Sequence, residues 1–136
     1  MVYRKEVAED VLTGRIIECG INVHRALGAH QPEGVYRNAM KVELEDVGLS
    51  CEVERGFEIS YKGQVLGSGY VDLLVNGEVV VELKAVARLT EDHYAQLGRN
   101  VRGLNTSRGL LINFGQPTIR IRRYVNGYEN AAQPTP

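Results

Sequence analysis

Residues 69–84 read GYVDLLVNGEVVVELK, and this stretch decides the fold that the sequence predicts. Valine, leucine and tyrosine fill most of its positions, as is typical of β-strands, and Asn76-Gly77 is a strong signal for a tight turn. The stretch therefore predicts two antiparallel strands that form a hairpin. Three charged residues, Asp72, Glu82 and Lys84, interrupt these otherwise apolar strands.

The length of the hairpin loop decides which face carries each charge, because side chains alternate between the two faces of a strand. A two-residue type I′ turn at Asn76-Gly77 would pair Asp72 with Val81. Glu82 would then lie on the opposite face from Asp72, and the two acids would be separated.

A three-residue loop brings the charges together. In this alternative Val75 and Asn76 form a type I turn, Gly77 is a left-handed G1 bulge, and Asp72 pairs with Val80. The three charged side chains then share one face, and the other face is an uninterrupted apolar surface. We predict this register. The expected apolar face consists of Val71, Leu73, Val79, Val81 and Leu83.

Length and composition indicate an ordinary globular chain. The 136 residues fit one domain, which we expect to span residues 1–126 and to be followed by a flexible tail at 127–136. No apolar run approaches the roughly 20 residues of a membrane span, and the charged N-terminus lacks the apolar segment of a secretion signal. We therefore expect a cytoplasmic protein without membrane contact. Cys19 and Cys51 are predicted to be buried free thiols.

Charge is distributed unevenly along the chain, although the net charge is only −1. Residues 1–83 contain 8 Lys+Arg and 14 Asp+Glu, whereas residues 84–123 contain 8 and 2. Such asymmetry suggests a surface that meets phosphates, and 12 arginines against 4 lysines favour bidentate donors. The alternative is that the arginines reflect a bias in base composition and simply lie on solvent-exposed faces.

Apolar periodicity predicts the remaining elements. Helices are expected at 11–27, from Pro32 to about Val47, and after Thr90, which can cap the third helix. Antiparallel strands are expected between residues 49 and 65. Two later strands are expected, a buried one at 109–114 (GLLINF) and a half-buried one around 119–122.

Asp72, nine residues, Glu82, one residue and Lys84 form the arrangement of the PD-(D/E)xK nuclease-like superfamily. More narrowly, the chain resembles the GxxExxY family within that superfamily, from about Leu12 to Asn126. The matching segments are VHRALG (23–28), PEGVY (32–36), YVDLLVNGEVVVELKAV (70–86), AQL (95–97) and GLLINF (109–114). Two positions depart from the pattern. His30 replaces the first glycine, and Asn100 replaces an aromatic residue four positions after Gln96.

The resemblance implies an α/β (α+β) fold with a restriction-endonuclease-like core, in which about three helices flank a central mixed sheet with antiparallel hairpins. It also implies a metal-dependent nuclease acting on DNA or RNA. Asp72 and Glu82 would coordinate Mg²⁺ or Mn²⁺. The Leu83 carbonyl would add a ligand, and Glu33 would approach directly or through water.

Further roles follow from the same resemblance. Lys84 would orient or help to deprotonate the attacking water, and Gln96 would position the site from the third helix. Tyr36 would hold Glu33 or contact substrate. The basic C-terminal third would grip the nucleic-acid backbone without reading sequence. The arginines expected to bind substrate are Arg88, Arg99, Arg120 and Arg122.

Three alternatives remain open at the level of sequence. Asp72 and Glu82 could form a partly buried ion network with Lys84 and nearby arginines instead of binding metal. The chain could be a non-catalytic nucleic-acid- or protein-binding module, because one fold hosts many functions. The active site could also need a partner or a homodimer for completion. The sequence does not distinguish DNA from RNA, or endonuclease from exonuclease.

Overall fold

The structure of the protein, a computed structural model, is described for residues 10–126. This part of the chain forms three helices and one five-stranded sheet, with strand order β1-β2-β3-β4-β5. The predicted α/β architecture of a mixed sheet flanked by helices is therefore confirmed. The helices are α1 (Val11–Leu27), α2 (Glu33–Asp46) and α3 (Glu91–Gly103). The strands are β1 (Cys51–Tyr61), β2 (Gln64–Val75), β3 (Val79–Lys84), β4 (Arg108–Asn113) and β5 (Arg120–Val125).

The sheet is mixed because α3 connects β3 to β4. These two strands pair in parallel, whereas every other neighbouring pair is antiparallel. Parallel strands need a long crossover connection, which a helix supplies. β3 and β4 are buried along almost their whole length, as expected for strands with helices on both faces.

Two apolar clusters cover the two faces of the sheet. The larger cluster packs residues of α1 and α2, such as Ile16 and Met40, against Leu73, Val81 and Ile112 of the sheet. The smaller cluster packs Leu97 and Val101 of α3 against the other face. Both cysteines are buried and free, as predicted.

Helix termini follow the expected capping chemistry. The Asp10 side chain accepts hydrogen bonds from the backbone N–H groups of Leu12 and Thr13 at the start of α1. Thr90 and His93 form a reciprocal capping box at the start of α3. The capping box therefore fixes the start of α3 at Glu91.

The β2–β3 loop has three residues, as predicted, but it lies one position later than predicted. Val75 pairs with Val79, so the loop consists of residues 76–78. Asn76 and Gly77 both have positive φ, 54° and 68°, as in a type I′ turn, and Glu78 is the additional residue. The predicted type I turn at Val75-Asn76 is therefore wrong. Each residue of β2 therefore faces a residue of β3 that lies two positions later than predicted. Because side chains alternate faces with a period of two, the charged residues still share a face.

The predicted apolar face is confirmed for four of its five residues, whereas Val71 packs in the smaller cluster beside α3. β2 pairs with β3 only from Leu73 onward. Its pairing with β1 is interrupted at Glu54 and Asp72, where Glu54 has a φ of 53°. The alternation of faces along β2 is broken at this irregularity, since Leu73 packs in the larger cluster and both Val71 and Leu74 pack in the smaller one.

Some expectations concern segments beyond the described part of the chain. The tail expected to be flexible, residues 127–136, lies outside the described residues, as do residues 1–9. Between residues 10 and 126, no helix is sufficiently long and apolar to cross a membrane.

Candidate active site

A cleft of about 510 Å³ lies where β2 separates from β3. It contains all five residues that sequence reasoning assigned to catalysis, which come from α2, β2, β3 and α3. Four other residues complete its lining. The full set is Glu33, Ser68, Gly69, Tyr70, Asp72, Glu82, Lys84, Gln96 and Asn100.

Asp72 is held at the point where backbone pairing between β2 and β3 stops. The last paired residues are Leu73 and Val81, and beyond them the Leu83 N–H donates to Oδ2 of Asp72 at 2.7 Å. The carboxylate thus takes the place of a backbone acceptor in the strand pair. Extending the register by one residue places Asp72 opposite Glu82, so the strands themselves set the spacing of the two acids.

Glu82 is a buried acid, with only 7% of its surface exposed. Its Oε2 accepts a hydrogen bond of 2.7 Å from Nδ2 of Asn100. Burial raises the pKa of Glu82 to about 8, and repulsion by Asp72 together with a carboxyl–carboxyl hydrogen bond adds to this effect. The hydrogen bond from Asn100 and the charge of Lys84 act in the opposite direction.

Neither acid has an ion-pair partner in the part of the chain that the structure describes. Within residues 10–126, the ion pairs of the protein do not include Asp72, Glu82 or Lys84. Lys84 is half-buried and lines the cleft. The buried ion network considered as an alternative is therefore not formed in the described part of the chain.

Glu33 approaches the same cleft from the first residue of α2. Its Oε2 accepts a hydrogen bond of 3.3 Å from the N–H of Ala85, immediately after Lys84. No three histidine, cysteine, aspartate or glutamate side chains among residues 10–126 converge as a metal-binding group. The acids that face each other are the pair Asp72 and Glu82, and Glu33 lines the same cleft while bonded to the backbone after Lys84.

The Leu83 carbonyl points to the edge of β3 that faces β2, the strand that carries Asp72. In a strand, the N–H and C=O of one residue point to the same side, and the next residue points to the other. The Leu83 N–H points to Asp72, whereas the Lys84 carbonyl accepts from Phe114 N at 2.8 Å, on the β4 side. The Leu83 oxygen therefore points towards β2.

Comparison with known proteins identifies the superfamily. A family model described as the PD-(D/E)XK nuclease superfamily matches residues 10–124. The chain belongs to the PD-(D/E)XK nuclease superfamily. Nucleases of this superfamily typically use divalent metal ions. The chain has no match among curated proteins.

A solved structure, that of SSO0001, has a fold similar to that of this chain. The crystal structure of SSO0001 has a TM-score of 0.56 and 19% sequence identity to this chain. The similarity covers 72% of this chain and 52% of that one, so the present chain spans about half the length of SSO0001. At this identity the likeness shows the fold alone.

Asn100 is one residue of the site that the sequence does not identify, and Tyr70, which also lines the cleft, is another. In the sequence, Asn100 is only a departure from an aromatic position of the family, whereas in the structure its side chain is bonded to Glu82. Its Oδ1 accepts from Nε2 of Gln96 at 3.2 Å, and Arg99 donates to Oε1 of Gln96 at 2.8 Å. A signal existed, since Asn100 lies one turn after Gln96 and three residues after the buried Leu97.

Tyr36 is not among the residues that line the cleft. The sequence predicts that it holds Glu33 or contacts substrate, but its side chain lies in the core. The side chain is fully buried, and its ring stacks on Phe114 with centroids 4.3 Å apart. The hydroxyl donates to the Gly28 carbonyl and accepts from the Gln31 N–H at 3.1 Å. Tyr36 therefore orders the loop that precedes Glu33.

The four arginines assigned to substrate lie outside the cleft lining. Arg99 is exposed beside it on α3 and lines an adjoining groove. Arg122 pairs with Glu91 at 3.1 Å and covers the Tyr94 ring at 3.9 Å. Arg88 and Arg120 are exposed. Arg99 is thus the arginine of this set that stands beside the acids.

Proposed function

We propose that this protein is a metal-dependent nuclease that hydrolyses phosphodiester bonds in DNA or RNA. The observation that carries this proposal is the facing pair of Asp72 and Glu82, of which Asp72 is partly buried and Glu82 buried, and neither of which forms an ion pair within residues 10–126. Two such acids are costly without a cation. A bound divalent ion would remove both the repulsion and the penalty of burial.

The donor set fits a hard divalent cation such as Mg²⁺ or Mn²⁺. Carboxylate oxygens of Asp72 and Glu82 would hold it, the Leu83 carbonyl would add a neutral oxygen, and Glu33 would act through water. When bound, the ion supplies charge neutralisation at the phosphate and acidifies a coordinated water. Asn100 keeps Glu82 in place through its hydrogen bond.

Lys84 provides the remaining polar group of the reaction. Because it is free of ion pairs in the described chain, its ammonium group is available to orient the attacking water and to offset charge on the phosphate. Gln96 is hydrogen-bonded to Asn100 and Arg99, and so it would link the acids to an arginine that would bind substrate phosphates. The more distant arginines, Arg88, Arg120 and Arg122, would add contacts to substrate phosphates.

Membership of the narrower GxxExxY family is also part of this proposal. Glu33 and Tyr36 are the family's glutamate and tyrosine, three residues apart at the start of α2. Their positions support a division of labour, since Tyr36 orders residues 28–31 while Glu33 contacts the backbone beside Lys84.

A cleavage assay tests the proposal. Purified protein with Mg²⁺ or Mn²⁺ is expected to cut labelled DNA or RNA. Asp72→Asn and Lys84→Met should each lower the rate at least about 100-fold, because the first removes a charged ligand of the ion and the second removes the group that acts on the reacting water and phosphate. Circular dichroism would verify that both variants fold.

The matched controls are Asp46→Asn at the exposed end of α2 and Lys62→Met in the exposed β1–β2 turn, which should leave cleavage unchanged. Cleavage that survives Asp72→Asn would contradict the proposal. If no substrate is cut while salt-dependent binding persists, the protein is instead a nucleic-acid-binding module on a nuclease-like fold.

A further inference from the structure

A second groove continues from the acid cleft. It has a volume of about 480 Å³ and shares Ser68, Gly69, Gln96 and Asn100 with the cleft. One wall is the arm, defined here as residues 57–70 of the β1–β2 hairpin, which pair with each other but not with β3. The other wall is α3. The two depressions thus form one continuous path that passes the acids.

Phe57 fixes the arm against α3. Its ring occupies the space that side chains would fill at Gly69 of the arm and Gly103 of α3. A Cβ atom at Gly69 would lie 2.8 Å from the ring carbon Cζ of Phe57. Because the ring is wedged between two glycine backbones, the groove is a preformed feature of the fold.

Tyr70 is an exposed aromatic side chain at the junction of cleft and arm. It lines the cleft, 63% of its surface is exposed, and it lies two residues before Asp72, about 7 Å along a strand. Among residues 10–126 its side chain makes no hydrogen bond or aromatic contact. The fold therefore does not require a tyrosine at this position.

Cationic side chains follow the opposite wall. Arg99 and Arg102 of α3 line the groove and are exposed. Guanidinium groups match phosphate oxygens, and flat aromatic rings stack on unpaired bases. In a duplex the base faces are covered by their neighbours, so a ring at this position can stack only on an unpaired base or a flipped-out one.

We propose that the groove takes a single strand of nucleic acid, with one base stacked on Tyr70 and phosphates along Arg99 and Arg102. This inference rests on the proposed function, because it names single-stranded nucleic acid as the substrate class of the same cleft. Binding of the strand requires no catalysis, however, and can be tested separately.

The test measures binding of a fluorescent single-stranded oligonucleotide and of its duplex, with DNA and RNA forms of each, in a chelator that prevents cleavage. Tyr70→Ala is expected to weaken single-strand binding by roughly 5- to 100-fold, the loss of one stacked base. Duplex binding should change less than about twofold, since it relies on phosphate contacts. Tyr70→Phe keeps the ring and should bind like the wild type.

Tyr61→Ala is the matched control. Tyr61 is a tyrosine on the same hairpin with 61% exposure, but it is not among the residues that line the cleft or the adjoining groove. Its substitution should leave single-strand binding unchanged.

Equal losses in Tyr70→Ala and Tyr70→Phe would overturn the proposal, because the hydroxyl and not the ring would then make the contact. An equal effect on single strands and duplex, or no effect of Tyr70→Ala, would also overturn it. These results are independent of cleavage. If the nuclease proposal fails, the protein will not cleave any substrate, but Tyr70→Ala will still weaken single-strand binding. If the single-strand proposal fails, the protein will cleave, but Tyr70→Ala will not selectively weaken single-strand binding.

Discussion

Glu82 combines burial with a second acid opposite it, and these two properties oppose ionisation. With its pKa raised to about 8, the Glu82 carboxyl keeps its proton at neutral pH when no cation is bound. A divalent ion would have to displace that proton, since carboxylates bind metal in the ionised form. Metal affinity is thus expected to rise with pH up to about this pKa.

The same raised pKa predicts how stability depends on pH in the presence of a chelator. Between pH 4.5 and about 8 the folded state keeps a proton at Glu82 that the unfolded state releases. This contribution is fully present below the unfolded pKa and is lost as pH rises through the folded one. The free energy of unfolding should therefore fall by roughly 1 kcal/mol per pH unit from pH 5 to 8.

Urea denaturation at pH 5, 6, 7 and 8 measures this slope. Glu82→Gln is a neutral replacement of similar shape and should remove most of it, whereas Glu18→Gln, at an exposed position on α1, should not. If wild type and Glu82→Gln change in parallel, the burial of Glu82 does not control its ionisation.

At the scale of the element, the hairpin shows what its sequence can and cannot predict. The loop length follows from the need to keep one face apolar, and that reasoning holds for Leu73, Val79 and Val81. The turn conformation does not follow, because both Asn76 and Gly77 adopt positive φ and displace the loop by one residue. The position of Val71 is decided by pairing with β1, which the hairpin sequence does not contain.

The junction between the arm and α3 gives a prediction about packing. Gly69→Ala should destabilise the protein by about 1–3 kcal/mol, because the new methyl group meets Phe57 and the ring is blocked on its other side by Gly103. Chemical denaturation of the two proteins measures the difference.

Gly67→Ala is the matched control, two residues earlier on β2. A Cβ atom at Gly67 meets nothing within 4 Å, and neither glycine has a positive φ. This variant should be neutral or slightly stabilising, since alanine restricts the unfolded chain. Equal destabilisation by both variants would contradict the wedged position of Phe57.

At the scale of the whole molecule, the fold assembles the site from α2, β2, β3 and α3. Periodicity predicts these elements, and the charges on the hairpin mark the position of the site. Glu33 and Gln96 could be assigned only by resemblance to a family, because their distance to the hairpin depends on how the helices pack. Asn100 and Tyr70 were missed for the same reason. Their contacts in the site come from other elements, so the helical spacing of Asn100 after Gln96 places it beside that residue but does not show that it bonds to Glu82.

The charge asymmetry shows the same limit. The sequence predicts a basic C-terminal third, yet the structure divides those arginines between different surroundings. Arg99 and Arg102 line the groove, whereas Arg108 pairs with Asp10 and Glu78 and Arg122 pairs with Glu91. Net charge along a chain therefore locates a phosphate-binding surface only after the partners of each arginine are known.

The most direct test of the metal site is a crystal soaked in Mn²⁺ at pH 8, with anomalous diffraction used to locate the ion. We expect one strong peak between the carboxylates of Asp72 and Glu82, near the Leu83 carbonyl, and its loss in Asp72→Asn crystals treated in the same way. An acid pair without a peak at saturating Mn²⁺, or a peak that persists in Asp72→Asn, would contradict the proposed metal site.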